Sequence, residues 1–151
     1  MSPPAPTATT PATLDRRLFA LFYDLLPLLG LWFVAGVLTL AFTGGSFDPH
    51  NPQHQALARA LILIVTAGYF VLSWTRGGQT VGMRAWGLRI LANDGQRLAW
   101  PRALLRFAVG IVSLALVGAG FWWSLFDPQR RTWHDIASNS IMTKAATVAR
   151  D

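Results

Sequence analysis

Between Leu18 and Phe42 the chain runs for twenty-five residues with a single charge, Asp24. A helix needs about 20 apolar residues to cross ~30 Å of hydrocarbon, so this stretch is long enough to span a bilayer with some tilt. Pro27, one turn past Asp24, is placed to kink it. Two more apolar stretches follow. One runs from Ala60 to Trp74 between Arg59 and Arg76, and the other from Phe107 to Phe126 with Trp100 before it and Trp122 and Trp123 near its far end. Arginines that snorkel and tryptophans at the headgroup level suit segment ends of this kind. None of the three shows the polar face that a helix of a soluble bundle carries.

Composition agrees with immersion in lipid. The chain is 52% hydrophobic and 13% charged, where a soluble domain carries about 25% charged residues. The fold class expected is an all-α integral membrane protein with three hydrophobic helical segments, about 18–42, 57–74 and 103–126. Residues 1–15, rich in Pro, Thr and Ala, read as a flexible tail, 16–143 as the membrane domain and 144–151 as a second tail.

Several chemistries are excluded. The absence of cysteine removes disulfides, thiolate metal sites and a cysteine nucleophile. His50 and His54 have the spacing of helical metal ligands, but Pro49 and Pro52 disfavour a helix there, so no metal is expected. No activated nucleophile or pair of catalytic carboxylates stands out, which argues against an enzyme or a cofactor. The formal charge of +6 is concentrated beside the spans, where anionic lipid headgroups suffice as partners. No nucleic-acid motif accompanies it. Asp15-Arg16-Arg17-Leu18-Phe19 looks like a twin-arginine export signal. The apolar stretch behind it is too long and carries a charge, so it reads as an uncleaved first helix.

Basic residues near span ends set orientation. Residues 75–106 hold Arg76, Arg84, Arg89, Arg97, Arg102 and Arg106 against Asp94 alone, and Arg16 and Arg17 precede the first span. Both segments therefore belong in the cytoplasm, and the loop from Thr43 to Arg59 outside. A complete third crossing would carry Arg130, Arg131, Lys144 and Arg150 outward, against this bias. The alternative is a re-entrant segment bending near Gly118-Ala119-Gly120. Length and tryptophan placement favour the single crossing. Between the second and third spans, Leu88–Leu91 and Gln96–Ala99 flank Asn93-Asp94-Gly95, a short hairpin signal. The Arg/Trp-rich stretch before it suits the membrane surface.

An ionisable residue within a span costs roughly 2.5–3.5 kcal/mol and normally faces protein or water. Asp24 lies seven residues after Arg17, on the same helical face, with the small Ala20 between them. A pairing of Asp24 with Arg17 or Arg106 is expected. Around Asp127–Asp135, His134 beside Asp135 invites a proton relay, but neighbours on a helix do not face one another. A hydrogen-bonded interfacial turn is the preferred reading. Gly78 and Gly82 have helix-packing spacing, yet they lie outside the spans.

Taken together, Arg17-x-x-Ala20-x-x-x-Asp24, Gly78-Gln79-Thr80-x-Gly82-x-Arg84 leading to Gly87-Leu88-Arg89-Ile90, and Arg131-Thr132-x-His134-Asp135 resemble the motifs of the RDD family of bacterial membrane proteins. By this match Arg17, Asp24 and Asp135 are the arginine and two aspartates of the family's name. Arg106 and His134 are candidate ion-pair or relay partners. The resemblance covers roughly Arg16 to Thr143. Met83 stands where family members often carry a basic residue, and Ser138-Asn139-Ser140 where they often read Ala-Gly-Thr. The resemblance implies a multi-pass inner-membrane protein of few helices with a suspected transport role. Three helices do not readily enclose a polar pathway, so transport would require a homo-oligomer, with Asp24 binding a cation or proton. The alternative is a scaffold or accessory subunit that binds lipid or a partner membrane protein.

Overall fold

In the computed structural model, which describes residues 10–145, two long helices form the frame. α1 spans Leu14–Phe42 and runs unbroken through Pro27. α2 spans Pro52–Leu72 and continues through a widened turn, Ser73–Gly77. Pro52 opens α2, where its missing N–H costs nothing, and the Asn51 side chain accepts from the Gln53 N–H at 2.9 Å. Both helices are long and apolar enough to cross a membrane, with mean hydropathies of 2.2 and 1.9. Their outward side chains are bare: Phe33 of α1 is 74% and Ile64 of α2 64% exposed. In water such a surface would be a liability, whereas in lipid it is the solvent-facing side.

The third apolar segment is not one straight helix. α4 (Trp100–Ala115) stops, and α5 (Ala119–Trp122), followed by a tight turn over Trp123–Leu125, leaves at 103° to it. The break lies at Val117 and Gly118, both left-handed with φ of +55° and +74°. A β-branched residue rarely adopts that conformation, and Val117 is 88% exposed at the tip of the bend. Gly120 then packs back on α4, where a Cβ would come 2.6 Å from the Ser113 hydroxyl. The third segment is therefore a bent pair and not one straight helix, with the bend beside the predicted glycines.

The remaining elements gather at the end of the frame where α1 begins. α3 spans Val81–Ala85, β1 Leu88–Ala92, α6 Trp133–Ala137 and β2 Ser140–Lys144. β1 and β2 pair antiparallel, with Leu88 opposite Lys144 and Ala92 opposite Ser140. This corrects the expected hairpin between Leu88–Leu91 and Gln96–Ala99. The Asp94-Gly95 turn does form, with Gly95 at φ +78° and the Ala92 N–H bonded to the Gln96 carbonyl at 2.9 Å. The partner strand nevertheless comes from far along the chain. The alternating buried residues Leu88, Ile90 and Ala92 share one core with Met142, Leu98 and Met83, and Met142 of β2 stands opposite Ile90. The fold is thus mainly helical with a small sheet.

Thr10–Ala12 lies along the other edge of β2. The Ala12 N–H donates to the Met142 carbonyl at 2.8 Å, and the Lys144 N–H to the Thr10 carbonyl at 3.1 Å. The end of the expected N-terminal tail is therefore part of the fold: Ala12 is buried and α1 starts at Leu14. The rest of that tail and most of the second tail, with Arg150, lie outside the described residues.

Candidate functional site

Six residues of α1 are buried, among them Arg17, Ala20 and Asp24 on the predicted face. Asp24 does not pair with Arg17 or Arg106, which overturns that expectation. Its Oδ1 accepts from the Tyr69 hydroxyl at 2.6 Å and from the Gly82 N–H at 2.7 Å, and its Oδ2 from the Thr80 hydroxyl at 2.6 Å. The physical reason lies at the start of α3. A helix begins with N–H groups that lack partners inside the helix. Here the Tyr69 hydroxyl accepts from Val81, Asp24 from Gly82, and Thr80 as N-cap from Met83. Asp24 thus caps a helix from across the fold.

The middle motif now has a physical reading. Gly82 must lack a side chain, because a Cβ would come 1.9 Å from the Ala20 carbonyl oxygen. Gln79 donates through Nε2 to the Leu88 carbonyl at 2.6 Å, and the Gly78 carbonyl accepts from the Ile90 N–H at 2.8 Å, which fastens the motif to β1. Gly78 is left-handed at φ +66°, a conformation that suits glycine. Gly78 and Gly82 are therefore not a pair on one packed helix face. Arg84 is exposed and takes no part in this node.

The second aspartate holds both arginines. Asp135 Oδ2 accepts from Arg17 Nη1 and Oδ1 from Arg106 Nη1, each at 2.6 Å, with all three side chains no more than 1% exposed. Arg17 also donates to the carbonyls of Ala12 and Arg130, and Arg106 to the Ser140 hydroxyl at 2.7 Å. Thr132 and Asp135 form a reciprocal capping box at the start of α6. Burial disfavours the ionised Asp135, yet the Arg106 and Arg17 charges hold its carboxyl well below the usual carboxylate range. Each motif aspartate therefore caps a short helix: Asp24 caps α3 and Asp135 caps α6.

His134 is buried against Phe121, and its Nδ1 has no partner among the described residues. Burial, reinforced by the Arg106 charge, pushes its pKa down to about 3, so it is neutral at pH 7. Asp127 pairs with Arg131 at 3.1 Å at the half-buried start of the turn, where Arg131 also lowers the Asp127 pKa. The segment is thus a hydrogen-bonded turn leading into α6. In the closing motif, Asn139 takes the left-handed φ of +50° expected of a glycine, which asparagine tolerates better than most residues.

Arg17, Asp24, Arg106 and His134 all border one cavity of about 450 Å³ between α1, α2 and α4. The rest of its wall is mostly apolar, with Phe70, Phe107 and Leu114 prominent. Trp74 borders the cavity and Tyr69 holds Asp24 behind it, and neither belongs to a sequence motif. The signal available was that Tyr69 supplies the only phenolic hydroxyl in the second span. Arg106 lies over the Trp74 ring, 5.3 Å from its centroid.

A family model described as "RDD family" matches residues 11–139. The chain belongs to the RDD family. No curated protein and no solved structure matched it. The three motifs of this RDD protein are the three parts of the two aspartate-centred nodes.

Proposed function

We propose that this RDD protein is a multi-pass inner-membrane transporter of a solute or ion, working as a homo-oligomer with its N-terminus in the cytoplasm. The observation that carries this reading is Asp24. It is a buried carboxylate held by hydroxyl and backbone donors rather than by a cation, and it borders a cavity between spanning helices. A carboxylate so placed is suited to take up a proton or cation inside a membrane. The orientation follows from charge. The bent third segment brings Arg130, Arg131 and Lys144 to the same end as Arg16, Arg84 and Arg89, which removes the conflict that a third crossing would create. Reconstitution into liposomes, with flux followed under imposed proton and sodium gradients, tests the reading. Coupled flux that Asp24→Asn abolishes is expected, and its absence across both gradients counts against transport.

A scaffold or accessory subunit is the second reading. It is favoured by the Arg17–Asp135–Arg106 cluster, whose charges join α1, α4 and α6 and leave the carboxylate fully engaged. Crosslinking in native membranes separates the two: a stoichiometric different protein supports the scaffold, a self-oligomer the transporter.

A further inference from the structure

The cavity has a polar end whose hydrogen bonding is incomplete. Arg106 makes its bonds to Asp135 and Ser140 through Nη1 alone, while its Nε has no partner among the described residues. Trp74 Nε1, on the indole beneath that guanidinium, has none either. Both side chains are at least nine-tenths buried and both border the cavity. These two atoms are N–H donors, and the third unpartnered atom at this end, Nδ1 of neutral His134, can also donate, so an acceptor completes the set. The Arg17–Asp135–Arg106 cluster holds two cations and one carboxylate, which makes an anionic acceptor the complement. Asp24 is the opposing charge on the cavity wall; it accepts from Tyr69, Thr80 and Gly82 and from neither arginine, and Arg59 adds a further cation to the lining. Away from this end the wall is mostly apolar, with Phe70, Phe107, Gly110 and Leu114 beside a Trp32–Thr66 hydrogen bond and Arg59.

We propose that the cavity binds an anionic membrane lipid, with the headgroup phosphate on Arg106 and Trp74 and an acyl chain along α2 and α4. The proposal rests on the cavity being a ligand site, as in the transport reading, and names the ligand class. The polar end recognises the charge and the apolar wall recognises the chain, so neither a neutral phospholipid nor a free anion satisfies both.

The test uses the full chain purified in a neutral detergent, with lipid binding measured by native mass spectrometry. The probes are phosphatidylglycerol, phosphatidylcholine, a fatty acid and inorganic phosphate. Phosphatidylglycerol is expected to bind about tenfold more tightly than phosphatidylcholine, the size of one charge-assisted hydrogen bond. Trp74→Phe keeps the ring and removes the donor, and it should erase most of that preference. Gly110→Leu should weaken both lipids by obstructing the chain; Gly110 lines the cavity and a Cβ there meets nothing within 4 Å. Equal binding of the two lipids, or phosphatidylglycerol binding unchanged in both variants, overturns the proposal. Inorganic phosphate binding as tightly as the lipid overturns the acyl-chain assignment, and a preference for the fatty acid overturns the phosphate. Selective lipid binding without flux keeps this site and rejects transport. Flux without lipid selectivity does the reverse.

Discussion

Gly82 lies directly against Ala20, with room for no atom between the Gly82 α-carbon and the Ala20 carbonyl oxygen. A Cβ on Gly82 would stand 1.9 Å from that oxygen and 2.9 Å from its carbon. Both obstacles are backbone of a spanning helix, so neither can rotate away. Gly82→Ala should displace α3 from α1 and break the Asp24 bond to the Gly82 N–H. A loss of at least about 3 kcal/mol is expected, at or beyond the upper end of ordinary overpacking. Chemical denaturation in detergent would measure it, and a wild-type midpoint would refute the close contact.

Replacing Asp135 leaves two buried guanidiniums without a counter-charge. Removing one partner of a buried ion pair typically costs about 3–5 kcal/mol. Asp135→Asn should fall in that range, while Asp127→Asn, at the half-buried pair with Arg131, should cost less, about 1 kcal/mol. Comparing the two unfolding midpoints checks the contrast.

Asp24 offers a graded comparison. In Asp24→Asn the amide oxygen can still accept from the Gly82 N–H, and the hydroxyls of Tyr69 and Thr80 can reorient. Asp24→Leu leaves the Gly82 N–H buried without an acceptor, a penalty of about 1–3 kcal/mol. The leucine variant should therefore melt clearly below the asparagine variant. Identical thermal stability of both would show that the cap does not matter.

The protonation of His134 sets a direction for acid sensitivity. Its folded pKa is about 3, against about 6.5 in the unfolded chain. Below pH 6.5 the unfolded state binds a proton that the folded state refuses, so stability falls as pH drops from 6.5 towards 3. The slope from this group is at most ~1.4 kcal/mol per pH unit. Asp135, also lowered, contributes the same sign further down, below its ordinary range. His134→Phe should flatten the decline in unfolding midpoint between pH 7 and pH 5, and an unchanged slope would assign the acid response elsewhere.

Topology is open to direct labelling because the chain has no native cysteine. Asp94, Gln129 and Ser46 are exposed. Cysteines at Asp94 and Gln129 should react with an impermeant thiol reagent from one side of the membrane, and a cysteine at Ser46 from the other. Opposite sidedness for Asp94 and Gln129 would restore a full third crossing.

Much of the frame was legible because hydrophobic length is a local property. The first two spans, the shared face of Arg17, Ala20 and Asp24, and the Asp94-Gly95 turn all follow from windows of a few residues. Partner choice did not. Asp24 and Arg17 share a face, but Asp135, far along the chain, offered Arg17 a closer and better desolvated partner. Asp24 in turn was taken by helix-start N–H groups that no charge pattern reveals. β1 likewise looked complete with a local return strand, since nothing in its own residues points to Ser140–Lys144. The third segment had the composition of a span. Its break depends on Val117 accepting a left-handed backbone, which sequence statistics disfavour.

The bond from Arg17 to Asp135 joins positions 118 residues apart. During synthesis the first helix enters the bilayer while its guanidinium has no mate, because the matching carboxylate has not yet been translated. The buried charge balance of this fold is therefore complete only once α6 is in place, and without it Arg17 and Arg106 lack their shared carboxylate.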